Sequence, residues 1–184
     1  RGISFCAVCD GAFFRNKEVA VYGGGNTAVE DAAFLANICS KVTIIHRRDR
    51  FRAEQAVVDE LKALDNVEFV MSSNVVGVNG DKALESITVK NNETGETRDI
   101  AVSALFVAIG KIPNGKPFVN LVATDEAGYF EIGESCEADT PGVFVAGDGR
   151  SKDLKQLTTA VSDGSIAATK ACNYVDRING QEYV

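Results

Sequence analysis

From Lys17 onward, short continuous apolar runs alternate with stripes at helical spacing. VAVY (19–22) and VTII (42–45) have the unbroken, β-branched character of strands buried on both faces of a parallel sheet. Between them Ala28, Val29, Ala32, Phe34, Leu35 and Ile38 supply the buried face of a helix that Asn26 or Thr27 can cap. Residues 53–64 (AEQAVVDELKAL) predict a second amphipathic helix with Ala56, Val57, Leu61 and Leu64 on one stripe, and VEFV (67–70) a third parallel strand. The period then falls to two. Residues 73–102 alternate apolar and polar, broken at Asn79-Gly80-Asp81 and at Asn91–Gly95, which predicts an antiparallel meander in place of a crossover helix. ALFVAIG (104–110) returns to the pattern of a central strand.

The expected fold is therefore α/β, a Rossmann-like three-layer domain over residues 1–112. KIPNGKP (111–117), rich in turn formers, marks the boundary. Residues 113–184 are less self-sufficient. The stretch 124–142 carries six acids and no base, and predicts a short hairpin and a solvated segment. PGVFVAGDG (141–149) predicts a buried strand ending in Gly147-Asp148-Gly149, and 153–175 a helix with Leu154, Leu157, Val161 and Ala168 toward a core. One strand and one helix cannot bury each other, so this region is expected to be part of a larger domain. With no initiator Met, the chain is expected to be a processed or truncated form.

Composition narrows the function classes. With 45% apolar residues and 24% charged, the chain reads as globular, and a net charge of −7 argues against a nucleic-acid or membrane-surface binder. No apolar run is long enough to span a bilayer, and no secretory leader is present. Five cysteines, an odd and scattered set, do not describe a disulfide-stapled secreted scaffold and point to the cytoplasm.

Two stretches carry candidate chemistry. In YGGGNTAVE (22–30), Gly23-x-Gly25-x-x-Ala28 follows a strand and opens a helix, the dinucleotide fingerprint in its Ala variant. Gly23 turns the chain, Gly25 admits the pyrophosphate, and free N–H groups at the helix start receive it. A plain glycine turn is the bland alternative. An NAD site would end the second strand in Asp or Glu, whereas this chain has His46-Arg47-Arg48 and then Arg50 and Arg52. Five positive charges and one negative lie between Lys41 and Arg52, so the expected ligand is the 2′-phosphate of NADPH; a solvated basic turn is the competing account.

The second stretch is CAVCDG (6–11). A zinc site needs more ligands than the sequence brings near Cys6 and Cys9, so no metal is expected. A purely structural disulfide closes too short a loop to stabilise much. A dithiol–disulfide couple accounts for more, with Asp10 as a proton donor and acceptor. Nicotinamide delivers hydride, which a disulfide does not ordinarily accept, so the pairing calls for a flavin between them.

Taken in order, CAVCDG, GGGNTAVE, HRRDRFRA and VFVAGD closely resemble the low-molecular-weight bacterial thioredoxin reductases over essentially the whole chain. The resemblance implies a homodimeric FAD enzyme that passes electrons from NADPH through flavin to a CxxC disulfide and on to thioredoxin. It implies that Cys9 faces the flavin, Cys6 attacks thioredoxin and Asp10 protonates the product thiolate. It assigns Arg47, Arg48 and Arg52 to the 2′-phosphate, beside His46, and Gly23, Gly25, Asn26 and Thr27 to the pyrophosphate turn. Gly147 and Asp148 match the FAD ribityl and phosphate segment, and Lys155 and Gln156 the pair beside the flavin ring, where the family usually has Arg-Gln. Residues 113–184 would then be the C-terminal part of an FAD-binding domain. The family's N-terminal FAD fingerprint occurs nowhere in the chain, so it is expected to bind NADPH and to hold FAD weakly or not at all. Competing readings are a peroxiredoxin-linked flavoprotein reductase, a ferredoxin-linked thioredoxin reductase and a non-catalytic nucleotide-binding module.

Overall fold

The structure, a computed structural model, describes residues 1–181; the last three residues of the expected second domain lie outside that range. It divides into two compact units, the first running from Arg1 to Gly110 and the second from Lys111, two residues before the boundary expected from sequence.

In the first unit the chain forms β1 (Ile3–Ser4), α1 (Ala7–Asp10), β2 (Glu18–Gly23), α2 (Asn26–Ala36), β3 (Lys41–Ile45), α3 (Gln55–Lys62) and β4 (Val67–Val70). It continues through β5 (Ser73–Asn79), β6 (Ser86–Asn91), β7 (Thr97–Ala101) and β8 (Ala104–Ala108). The sheet order is β1-β8-β2-β3-β4, parallel throughout, and β5-β6-β7 form a separate antiparallel sheet. The meander thus replaces the crossover between β4 and β8, as its period of two predicts.

The strands alternate faces, and that alternation builds three layers. Val19, Val21, Val42, Ile44 and Phe106 join Ala28, Val29, Leu35, Val58 and Leu61 in a core on the helix side. Ala20, Ile45 and Leu105 join Ile87 and Val89 in a core under the meander. Of the stripe expected over 53–64, Leu61 is buried and Val57 half-buried, whereas Ala56 and Leu64, the latter beyond the end of α3, are exposed and Val58 takes their place in the core. Phe34 of α2 is also exposed, its ring lying over Gly11 rather than in the core. The two-residue β1 was too short to announce itself.

The second unit departs further from expectation. No regular strand forms over 141–149; Phe144 makes only an isolated bridge to Glu137, and Gly147–Gly149 is a single 3₁₀ turn. The hairpin in 124–131 is likewise a lone bridge, Thr124 to Phe130. Val122, Phe130, Ile132 and Ala138 make a small core. Helix α4 (Leu157–Ile178) starts four residues later than expected, because Gln156 caps it through a reciprocal capping box with Thr159. Leu154, Leu157, Val161 and Ala168 are exposed rather than core-facing, and the one buried residue of α4 is Asp163. No helix among the described residues is long and apolar enough to cross a membrane.

Candidate functional site

At the carboxyl end of β2 the chain turns through Gly23-Gly24-Gly25 into α2. A Cβ at Gly23 would collide with the Ala108 carbonyl of the neighbouring strand, so only glycine lets β2 and β8 close there. Space over Gly25 is open, leaving room for a ligand to approach the backbone. Gly25 itself is the N-cap of α2 and uses no side chain for it. This corrects the expectation of an Asn26 or Thr27 cap: the Asn26 carboxamide oxygen instead accepts from the Glu54 N–H at 3.0 Å.

The arginine loop, 46–54, lies against this turn. The Arg52 N–H donates to the Gly24 carbonyl at 2.8 Å. Tyr22, Gly23, Gly24, Gly25, Thr27, His46, Arg47, Arg48, Arg52, Asn74 and Ala108–Gly110 line one cleft of about 420 Å³. Among the described residues none of Arg47, Arg48 and Arg52 forms an ion pair with a carboxylate. Arg52, with partial desolvation, Arg47 and Arg50, holds the Arg48 guanidinium below its ordinary range. A cluster of mutually repelling cations around an open glycine turn is suited to a polyanion.

His46 stands apart from the arginines. It is 6% exposed, its ring stacks on Phe51 with centroids 5.5 Å apart, and a Cβ at Gly24 would strike its Nδ1 edge. A carbonyl can only accept, so Nε2 carries the proton in the 3.1 Å bond to the Arg50 oxygen. Burial lowers its pKa most; the bond to the Arg50 carbonyl pulls it back up, and Arg48, Arg47 and Arg52 each lower it further, so that the net shift is downward. A neutral His46 thus backs the glycine turn, and Asn26 and Thr27 sit exposed at its mouth.

Cys6 is the N-cap of the single turn α1, Cys9 lies within that turn, and the two are joined by a disulfide, with Cα atoms 5.3 Å apart. Cys6 is half-buried and Cys9 exposed. The Cys9 N–H donates to Cys6 Sγ at 3.2 Å, and the buried Ser4 hydroxyl donates to Asp10 Oδ2 at 2.7 Å while accepting from the Cys6 N–H at 3.1 Å. Ser4, which sequence reasoning missed, therefore ties the acid to the cysteine turn. Phe5 and Val8, each next to a cysteine in sequence, and Phe13 of the following 3₁₀ turn are exposed. Of the three free thiols, Cys39 and Cys136 are buried, and burial raises the pKa of both, while Cys172 on α4 is exposed.

In the second unit Gly147 and Asp148 occupy the 3₁₀ turn, with Asp148 exposed. The Gly147 N–H donates to Asp163 Oδ2 at 2.9 Å. Arg150, 1% exposed, donates to Asp163 Oδ1 at 2.7 Å, and Lys152 Nζ donates to Oδ2 at 2.8 Å. Asp163 thus organises the turn that presents Asp148, a role hidden from sequence because Asp163 looks like any polar helix residue. Lys155 Nζ donates to the Lys152 carbonyl at 2.6 Å and lies 4.1 Å over the Tyr129 ring, and Gln156 is the α4 cap.

A parallel sheet closed by helices on one face and a meander on the other, with a glycine-turn cleft and a disulfide in the same unit, defines a nucleotide-dependent disulfide oxidoreductase fold. Residues 1–164 match the pyridine nucleotide-disulphide oxidoreductase family, and the chain belongs to it. It is 42% identical to a thioredoxin reductase of Bacillus subtilis over 181 residues, 97% of this chain and 57% of that protein. A thioredoxin reductase of Listeria innocua is 41% identical over 97% of the chain and 56% of its own length. Among solved structures, that of a thioredoxin reductase from Streptococcus pyogenes superposes with a TM-score of 0.89 at 39% identity, covering 96% of this chain and 58% of that one. The chain therefore spans a little over half the length of the relatives it matches.

Proposed function

We propose that this chain carries the NADPH-binding and disulfide-bearing portion of a thioredoxin-disulfide reductase, and that Cys6–Cys9 is its redox couple. The observation that carries this reading is the union, in one unit, of an open glycine turn ringed by uncompensated arginines with a solvent-accessible CxxC disulfide. Arg47, Arg48 and Arg52 bind the 2′-phosphate, while the N–H groups that follow Gly25 receive the pyrophosphate. Similarity to thioredoxin reductases supports thioredoxin, or a protein like it, as the acceptor, and the exposed Phe5 and Val8 beside the cysteines offer a protein partner apolar contacts. FAD, when bound, supplies the conversion of a hydride into the two electrons that open a disulfide. Gly147 and Asp148, with the Asp163 anchor behind them, are the residues of this chain that would hold it, beside Lys155 and Gln156. A homodimer and a cytoplasmic setting belong to the same reading.

In the reduced chain one thiolate attacks the acceptor disulfide, forming a mixed disulfide and expelling one acceptor thiolate. The second cysteine then re-forms Cys6–Cys9 and releases the other acceptor thiolate, and Asp10 delivers a proton to a leaving sulfur. The resemblance assigns the attack to Cys6, although Cys9 is the more exposed residue here. Trapping decides between them: the reduced Cys9→Ser chain should accumulate a covalent adduct with thioredoxin, and Cys6→Ser should not. Calorimetry checks the nucleotide. NADPH should bind about 100-fold more tightly than NADH, since two to three charge-assisted phosphate bonds are at stake. Equal binding of the two would refute the reading, as would an unchanged ratio in Arg47→Ala/Arg48→Ala.

A further inference from the structure

We propose that the antiparallel meander holds the arginine loop in its phosphate-binding form through a polar relay, Tyr22–Asn74–Asn92–Arg47, and so sets the preference for a 2′-phosphorylated nucleotide. This rests on the NADPH reading above and adds to it residues that do not touch the phosphate. Three consecutive carbonyls of the loop accept hydrogen bonds from the meander side. The His46 carbonyl accepts from the Ser73 N–H at 2.9 Å and the Arg48 carbonyl from the Ser72 N–H at 2.9 Å. Between them the Arg47 carbonyl accepts from Asn92 Nδ2 at 2.9 Å, a side-chain bond spanning 45 residues of sequence.

The proton directions along the relay follow from that last bond. A carbonyl can only accept, so Asn92 must present its amide nitrogen to Arg47 and its oxygen elsewhere. That oxygen accepts from Asn74 Nδ2 at 2.8 Å, which turns the Asn74 oxygen toward Tyr22, whose hydroxyl donates to it at 2.8 Å. Tyr22 and Asn74 line the cleft, whereas Asn92 lies outside it. The Asn91–Gly95 turn that carries Asn92 is itself braced: Asn91 Oδ1 accepts from the N–H groups of Glu93 and Thr94 at 2.9 and 3.0 Å, and the Asn92 N–H donates to the Ser72 carbonyl at 2.7 Å.

Arg47, Arg48, Arg50 and Arg52 repel one another across a short loop, and an untethered loop would open until a ligand drew it shut. Fixing its carbonyls removes that reorganisation from the binding step, and the gain falls on the ligand that needs the arginines together. The probes are 2′,5′-ADP and 5′-AMP, titrated calorimetrically into the purified chain at one fixed ionic strength. The wild-type chain should prefer 2′,5′-ADP. Asn92→Ala should lower that preference by about three- to tenfold, the worth of one or so net hydrogen bonds, with 5′-AMP affinity changed by less than about twofold. Thr94→Ala loosens the same turn without touching Arg47, and should leave the preference intact. Tyr22→Phe cuts the other end of the relay, so the double variant with Asn92→Ala should lose no more than the larger single variant. The relay is overturned if Asn92→Ala keeps the wild-type preference, if Thr94→Ala loses as much, or if the two relay variants add in full. A wild-type chain that does not distinguish the probes refutes the NADPH reading instead, and takes the relay with it.

Discussion

Gly24 and His46 share one volume: the imidazole sits where any side chain at position 24 would have to go. Burial and three arginines act against a proton on that ring, so the folded pKa lies below the value near 6.5 of the unfolded chain. Between those two values the unfolded chain binds more protons than the folded one, so stability falls as pH falls. The contribution is complete above about pH 6.5 and lost progressively as pH drops toward the folded-state value. His46 is the chain's only histidine, which makes the effect readable. Urea midpoints should be flat from pH 8 to 7 and then decline, and His46→Gln should remove the decline above the carboxylate range. An imidazole that titrates by NMR at or above the unfolded value would contradict this. The fingerprint glycines and the arginines were legible in the sequence because their chemistry is local. The buried place of His46 was not, because its charge-bearing neighbours disguise it. The signal lay in the alternation of β3, which puts His46 on the face of Val42 and Ile44.

Among the elements, the parallel strands and the meander follow from the period of their apolar positions, and they form where that period places them. Helix α4 does not obey the same logic. Counting its apolar residues selects Leu157 and Val161 as a core face, yet they are 80% and 61% exposed, while Asp163 is buried. The unit packs this helix through charge: Arg150 and Lys152 both bond Asp163, and Arg150 also reaches the Ile132 and Gly133 carbonyls. Periodicity weighs hydrophobicity and is blind to a buried ion pair closed over 13 residues. Asp163→Asn keeps an oxygen for the Gly147 N–H but leaves Arg150 without its buried counter-charge. Removing one member of such a pair costs about 3 kcal/mol or more, and the carbonyls that also hold Arg150 favour the lower figure. In the intact chain hydrogen exchange should show that loss as weaker protection of the Gly147 N–H, which Asp163 holds, and of the first turns of α4. A variant within about 0.5 kcal/mol of wild type would mean that the ion pair does not organise the turn.

At the level of the whole chain, the two units differ in how completely they account for themselves. Both cores of the first unit, its cleft and its disulfide are built from residues that precede Lys111. Its alternating strands have helices to cover one face and the meander to cover the other, so no layer waits for a partner. Among its described residues, the second unit has four buried residues in its apolar cluster and one long helix with an exposed apolar face. That imbalance is legible in the sequence, where the region offers one candidate strand and one helix. Its irregular backbone is not, because the apolar run at 143–145 reads as a strand wherever a sheet neighbour is assumed. A chain ended at Ile112, two residues past Gly110 so that no new terminal carboxylate falls on a cleft residue, should therefore fold cooperatively and keep the parent's preference for 2′,5′-ADP over 5′-AMP, since no cleft residue is lost. The piece from Lys111 onward should show no cooperative thermal transition, its small core falling short of the entropy lost on ordering some seventy residues. Calorimetric melting of the two pieces tests both halves of the claim. A first piece that fails to fold or to keep that preference would show that the nucleotide site depends on residues beyond Ile112, against every contact that builds the cleft.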